Sequence, residues 1–177
     1  MKRIATLTLI KMALLCFAVA LPAGDALAQQ KQRVSYKIGA ENAKYTQQHA
    51  IDVGDGIGHE VRVYEIHRTF PGNAPAINGV KLKEQWTRGL SDYVNSNGAS
   101  TSYGVYVLEN GDKFFTRATT LGQANATGQR TSITVGHITG GTGRLAGMQG
   151  MIRATGAGDI KAGRNETQAE IEYWFAK

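Results

Sequence analysis

A charged pair four residues apart is the first candidate for chemistry. Glu84 and Arg88 flank Trp86 in the segment VKLKEQWTRGLSDYV. On one face of a strand, a carboxylate and a guanidinium form either a neutralised structural bridge or a pair that orients a substrate. The residue types leave both alternatives open, and Trp86 adds an aromatic surface beside them.

Three further polar side chains, Glu65, His67 and His137, suit acid/base or metal chemistry. Glu65 and His67 lie on one strand face with Val61 and Val63, and His137 lies on another alternating segment. Neither an HxH nor an HExxH spacing occurs in the sequence, so the pattern favours no metal site. A GxSxG nucleophile is also missing. We expect no bound metal and no cofactor.

The stretch HITGGTGRLAGMQG, residues 137–150, permits two interpretations. One is a strand that leads into a phosphate-binding loop, and the other is a turn between strands. A nucleotide site needs a helix after the glycines, and the glycines that continue to Gly163 disfavour one. We therefore expect a structural turn motif, composed of Gly140, Gly141, Thr142, Gly143, Gly147 and Gly150.

The candidate residues lie on short segments in which apolar and polar residues alternate. Glycine, asparagine and aspartate separate these segments. Alternation with period two is typical of strands, and the Asn110-Gly111 pair between two such segments predicts a hairpin. About eight strands result by this criterion. The sequence predicts an all-β fold, as a sandwich or as a closed eight-stranded antiparallel barrel, and we favour the barrel because closure removes exposed edges.

In a barrel, alternate residues point inward, and the more apolar face of each strand names the inward set. The predicted inward residues are Leu82, Glu84, Trp86, Arg88 and Leu90 on one strand, Ile133, Val135 and His137 on a second, and Ile171, Tyr173 and Phe175 on the last. Glu84, Trp86, Arg88, His137 and Tyr173 are thereby the candidates to line a ligand site.

The N-terminus predicts export. Lys2, Arg3 and Lys11 precede a short apolar run that is about half the ~20 residues of a membrane span, and small residues follow it at Ala26 and Ala28. We expect residues 1–28 to be a cleaved signal peptide and residues 29–177 a single β-barrel domain, periplasmic or secreted. After cleavage we expect no stable membrane insertion.

The charge distribution and the cysteine content argue against nucleic-acid-binding and disulfide-stabilised classes of protein. The net charge is +6, with Lys and Arg spread singly along the chain, whereas a nucleic-acid surface shows a basic stripe. We therefore expect no nucleic-acid partner. The only cysteine, Cys16, lies in the predicted signal peptide, so the mature chain would have no disulfide.

The segment TGGTGRLAGMQG resembles the TGG[ST]GxxxGxxG pattern of plant allene oxide cyclases, and it is similar to the GGTGxF signature of dirigent proteins. The preceding GQRTSITVGHI and the terminal AEIEYWFA extend the resemblance over about the last 50 residues. The resemblance implies a calycin-like barrel of eight antiparallel strands, often trimeric, with a largely apolar cavity. The TGGTG residues are part of the barrel wall in those families.

Three functional hypotheses follow. The first is an exported barrel that binds a small, mainly apolar ligand in its cavity. The second is a cyclase or isomerase acting on a reactive hydrophobic substrate, with Glu84, Arg88, His137 or Tyr173 assisting. The third is a structural or assembly module with a filled interior. A homo-oligomer, trimer or dimer, is the expected assembly.

Overall fold

The computed structural model describes residues 30–159 and 164–176, and the predicted signal peptide lies outside them. These residues form one ten-stranded antiparallel sheet. The strands are β1 (Gln32–Ile38), β2 (Ala43–Asp52), β3 (His59–Thr69), β4 (Ala76–Ile77), β5 (Val80–Val94), β6 (Asn97–Leu108), β7 (Lys113–Ala124), β8 (Gln129–Gly141), β9 (Met148–Asp159) and β10 (Arg164–Phe175). Short 3₁₀ turns, Ala40–Asn42 and Gly143–Leu145, follow β1 and β8. No helix in the described part of the chain has the length and apolar character to cross a bilayer.

The all-β antiparallel prediction is confirmed, whereas the strand count is ten rather than eight. Each of the eight alternating segments forms a strand, and the two additional strands are β2 and β4. β2 is exposed along almost its whole length and has no apolar alternation, and β4 has only two residues. Neither strand therefore carries the period-two signal on which the sequence prediction depends.

The sheet runs in the order β1-β10-β9-β8-β7-β6-β5-β3-β2, and it is not closed by hydrogen bonds, since β1 and β2 form its two ends. It nevertheless bends toward one face. In a flat sheet β1 and β6 would lie ~24 Å apart, at ~4.8 Å per strand, yet the Tyr36 and Tyr106 phenols on these strands lie close enough to influence each other's pKa. The Tyr36 ring also packs edge-on against Phe70, just beyond β3, at 5.4 Å between centroids.

An apolar core fills one half of the space on this concave face. Its fully buried members include Leu82, Leu108, Phe114, Leu145, Met148 and Ile171. A β-bulge between Leu82 and Glu84 explains how Leu82 enters the core although later even-numbered residues of β5 face outward. An inserted residue reverses the alternation from that point onward.

The glycine motif forms the connection from β8 to β9, as expected of a structural turn. Gly143 and Gly147 adopt φ values of 55° and 76°, which residues with a side chain seldom do. Gly140 and Gly141 still belong to β8, so the strand continues beyond Ile138, where the sequence predicts its end. Gly140, with φ 150°, adjoins a bulge in β8, where Thr139 is left without a partner on β7.

The same connection is tied to the β6–β7 hairpin. The Thr142 hydroxyl accepts a hydrogen bond from the Lys113 backbone N–H at 2.9 Å, and the Asp112 carboxylate accepts one from the Arg144 backbone at 3.2 Å. Leu145 is fully buried in the core. The only helical element in this connection is a three-residue 3₁₀ turn, which lacks the helix N-terminus that a nucleotide phosphate requires.

We expect Leu145→Ala to lower the free energy of unfolding by about 3 kcal/mol, because it removes a fully buried side chain and leaves a cavity. Chemical denaturation monitored by tryptophan fluorescence measures this loss. Ile57→Ala is the control, since Ile57 is 94% exposed, and its change should stay within about 0.5 kcal/mol. Equal losses for both variants would contradict the place of Leu145 in the core.

Candidate functional site

A cavity of about 650 Å³ occupies the other half of the concave face. Its wall contains five of the seven tyrosines of the chain and four arginines, with small serine, threonine, alanine and glycine residues between them. The tyrosines are Tyr36, Tyr45, Tyr64, Tyr93 and Tyr106, and the arginines are Arg62, Arg68, Arg130 and Arg153. A volume of this size lies within the ~300–1,000 Å³ range of small-molecule sites.

Small residues on the neighbouring strands make room for the large inward side chains. Tyr64 of β3 lies directly over Gly89 of β5, and a Cβ atom at Gly89 would come within 2.5 Å of its phenol. Arg130 covers Gly122 in the same way. The many glycines inside strands therefore shape the cavity, because a larger residue at these positions would displace the groups that line it.

Two tyrosines form the floor of the cavity, where it meets the core. Tyr36 and Tyr106 are buried side by side, with Ile152 and Ala118 nearby. Burial raises the pKa of Tyr106 and raises the pKa of Tyr36 well above its usual range, because the phenolate form is poorly solvated there. Burial also raises the pKa of Tyr64. All three phenols are neutral hydrogen-bonding groups at physiological pH.

Arg68, on β3, reaches the cavity close to this floor and is only 9% exposed. Its Nη1 donates a hydrogen bond to the Thr87 hydroxyl at 2.9 Å, while its buried Nε has no acceptor. No ion pair in residues 30–159 and 164–176 includes Arg68. A buried guanidinium without a carboxylate is unusual, since buried charges are normally paired.

Polar groups surround the mouth of the cavity. Arg130 donates to the Tyr93 hydroxyl at 2.6 Å and lies 4.7 Å from the centroid of that ring, and its buried Nε also lacks an acceptor. Arg62 pairs with Glu60 at 2.7 Å. Arg62 is thus neutralised by Glu60, whereas Arg130, like Arg68, has only a neutral hydroxyl as its hydrogen-bond partner.

A histidine holds the loop between β2 and β3 in place beside this mouth. His59 Nε2 lies 2.8 Å from Asp92 of β5, and its Nδ1 lies 2.6 Å from Asp55 in the loop. Hydrogen bonds to Asp92 and Asp55 raise the pKa of His59 above its usual value of 6.5. Gly58, at the end of this loop, is part of the cavity wall.

The predicted lining residues of β5 lie on the other, convex face of the sheet. The residues of β5 that line the cavity are Gln85, Thr87, Ser91 and Tyr93, so Glu84, Trp86 and Arg88 point away from it. The prediction that they point into the interior of the fold does not hold for this cavity. It followed from choosing the more apolar face, whereas the cavity face of β5 is the more polar one.

Glu84 and Arg88 also do not pair with each other. Four residues along a strand span ~13 Å, so partners come from the neighbouring strand instead. Glu84 lies 2.9 Å from His67 Nε2, and Arg88 lies 2.8 Å from Glu65. His67 stacks on Trp86 with 4.1 Å between ring centroids.

His137 on β8 is likewise on the convex face, together with Ile133 and Val135, which are 63% and 49% exposed. The cavity residues of β8 are instead Arg130, Ser132 and Thr134. Four strand steps separate His137 from His67 of β3, roughly 19 Å along the sheet, so the two histidines form no common cluster. No group of His, Cys, Asp and Glu in the part of the chain described is arranged to hold a metal ion.

The inward prediction for β10 is confirmed. Ile171 and Tyr173 are buried on the concave face, and Phe175 packs against the core. Tyr173 lies in the core rather than in the cavity wall. Its hydroxyl accepts a hydrogen bond from the Asn78 backbone at 2.8 Å and donates one to Gln32 at 2.6 Å, so its polar atom is fully engaged in structure.

The sequence prediction missed Arg68, Tyr64 and Tyr106, which define the cavity. A signal for the first two is present in HEVRVYEIHRTF, where Glu60, Arg62, Tyr64, Ile66 and Arg68 form one alternating set. Its charges resemble a solvated face, and the opposite set, with Val61 and Val63, is the more apolar.

Comparisons of the chain with protein-family models, with curated proteins and with solved structures found no match. The resemblance to allene oxide cyclases and dirigent proteins therefore stays a prediction.

The contacts of His59 predict a pH-dependent stability. Because the folded protein has the raised pKa, the stabilisation is fully present below about pH 6.5, the value for an unfolded histidine, and it is lost as the pH rises through the folded value. We expect Asp92→Asn to lower the melting temperature at pH 5.5 and to change it much less at pH 9. Thermal unfolding at both pH values measures this difference. Asp52→Asn is the control, since Asp52 makes no contact with His59, and a loss for Asp92→Asn that is the same at both pH values would contradict the role of His59.

Proposed function

We propose that this protein binds a small organic molecule in the cavity of its concave face. The observation that supports this most directly is that side chains fill only one half of the space on the concave face. Core side chains fill one half, whereas about 650 Å³ beside them is unfilled and is lined by phenols, hydroxyls and guanidinium groups. A purely structural module would gain stability by filling this volume.

The lining favours a ligand that has polar groups as well as an apolar body. Ile66, Ile152, Ala118 and the tyrosine rings offer apolar contacts, while serines and threonines of β5 to β8 offer hydrogen bonds. The mainly apolar ligand expected from the sequence would leave many of these groups without partners. We propose an amphipathic ligand instead.

We also propose that the sheet is a barrel of the allene oxide cyclase kind, completed between β1 and β2 by side chains rather than by hydrogen bonds. The contact of the Tyr36 ring with Phe70 and the proximity of Tyr36 to Tyr106 support this. Export to the periplasm or outside the cell, after removal of residues 1–28, remains part of the proposal. It places the cavity where extracytoplasmic small molecules are available.

Binding is a better-supported proposal than cyclase or isomerase activity. Glu84, Arg88 and His137 face away from the cavity, and the Tyr173 hydroxyl is occupied by Gln32 and Asn78. None of these candidates can touch a molecule bound there.

Filling the cavity should abolish binding. We expect the purified protein to bind the neutral fluorescent probe N-phenyl-1-naphthylamine, and we expect Ser132→Phe to weaken this binding at least about tenfold, because the new ring occupies the cavity. Fluorescence titration measures the dissociation constants.

Thr131→Phe is the matched control, since Thr131 precedes Ser132 on β8 and points to the opposite face. It should bind the probe like the unmodified protein. Absence of probe binding by the unmodified protein, or equal binding by Ser132→Phe, would contradict the proposed function.

We further propose that the protein self-associates through its convex face. Six strands present an outer apolar patch there, consisting of Val63, Leu90, Tyr103, Leu121, Ile133, Val135 and Met151, each at least 38% exposed. Together these side chains expose on the order of 700 Å², close to the ~800 Å² that each partner buries in a standard interface. A second copy of the chain is the occupant that this area suits.

A charge in the outer apolar patch should separate the copies. We expect the purified protein to have the mass of a dimer or trimer in light scattering coupled to size exclusion, and we expect Val135→Lys to shift it to the monomer, because a buried unpaired ammonium opposes association. Ile57→Lys introduces the same charge at an exposed apolar residue outside the patch and should leave the mass unchanged. A monomeric unmodified protein would contradict this proposal.

A further inference from the structure

Arg68 carries a positive charge that no group of the described chain balances. The carboxylates in the cavity wall are Glu60 and Asp159. Glu60 is eight residues away on the same strand, ~26 Å along β3, and is paired with Arg62. Asp159 lies at the far end of β9, where it accepts a hydrogen bond from Gln129 at 3.1 Å.

The groups closest to Arg68 are neutral. Thr87 accepts its Nη1 hydrogen bond, and the phenols of Tyr36, Tyr64 and Tyr106 stay protonated because burial raises their pKa. A guanidinium that is 91% shielded from solvent loses most of its hydration, and neutral oxygens restore only part of it. An anion bound in the cavity would supply the negative charge that the neighbouring protein groups do not provide to Arg68.

We infer that Arg68 binds the anionic head of the ligand, and that this ligand is a small organic carboxylate. This inference rests on the proposed function and names the chemical class of the molecule. Nε has almost no accessible surface and one N–H of Nη1 already donates to Thr87, so Nη2 and the second N–H of Nη1 form the edge of the guanidinium that is left to receive a carboxylate. The planar carboxylate suits this edge, since both groups can align in two parallel hydrogen bonds.

The cavity also sets the orientation of the ligand. The carboxylate lies at the floor with Arg68, and the apolar body extends toward the mouth between the Tyr64 ring and the small residues of β6 to β8. Ser100, which accepts a hydrogen bond from the Tyr64 hydroxyl at 3.4 Å, lies along this path. The ligand enters head first, with its charge farthest from the mouth.

A matched series of three probes tests the inference. The probes are 4-phenylbutyrate, 4-phenylbutanamide and 4-phenylbutylamine, which share one body and differ in the charge of the head. Isothermal titration calorimetry measures their affinities for the unmodified protein and for Arg68→Gln, Arg68→Lys and Arg117→Gln. Arg117→Gln removes the same charge from the convex face, where Arg117 lies 5.8 Å from the Tyr103 ring.

We expect the unmodified protein to bind the carboxylate at least about tenfold more tightly than the amide, and to bind the amine most weakly. Arg68→Gln should abolish the preference, Arg68→Lys should keep part of it without the bidentate geometry, and Arg117→Gln should keep all of it. Circular dichroism checks that each variant is folded.

The failures of the two proposals are distinct. If the unmodified protein binds N-phenyl-1-naphthylamine but shows no preference for the carboxylate, or if Arg68→Gln and Arg68→Lys both keep the full preference, the role of Arg68 is wrong and the binding function stands. If neither the neutral probe nor any of the three phenylbutyl compounds binds, the proposed function is wrong as well.

Discussion

The packing of large side chains over small ones on the concave face is the constraint on which the structure depends. A sheet that bends toward one face has less room on that face than on the other, so a glycine on the adjacent strand makes room there for a large side chain. Tyr64 over Gly89 and Arg130 over Gly122 follow this rule. The core half and the cavity half of the interior obey it alike, and they differ only in whether side chains fill the remaining space.

The strands could be predicted from the sequence because they depend on local patterns. Alternation identified eight of the ten strands, and the Asn110-Gly111 pair marked the β6–β7 hairpin, although only Gly111 adopts a positive φ there. β2 was missed because an exposed edge strand needs no apolar alternation. Its hydrogen bonds to the following strand β3 define it, and these bonds require no apolar alternation in the sequence.

The faces of the strands were harder to predict, because the rule that the apolar face points inward fails where the interior holds a polar cavity. For β5 and β8 the apolar face is the convex one, and the prediction therefore selected Trp86 and His137 rather than Thr87 and Thr134. For β10 the rule holds, since Ile171 and Tyr173 belong to the filled half. The role of Arg68 depends on the absence of a partner in three dimensions, which a sequence does not display.

The separation of a filled half from an open half has a consequence for how such a chain evolves. Leu82, Phe114, Leu145 and Ile171 secure folding without touching the cavity, while Ser91, Ser100, Ser132 and Thr134 shape the cavity without contributing to the core. Substitutions of the cavity residues can change which ligand binds, with little loss of the stability that the core residues provide. A lineage built on this plan is free to diversify its chemistry while its architecture persists, so its members would be recognised by their spacing of glycines sooner than by overall sequence identity.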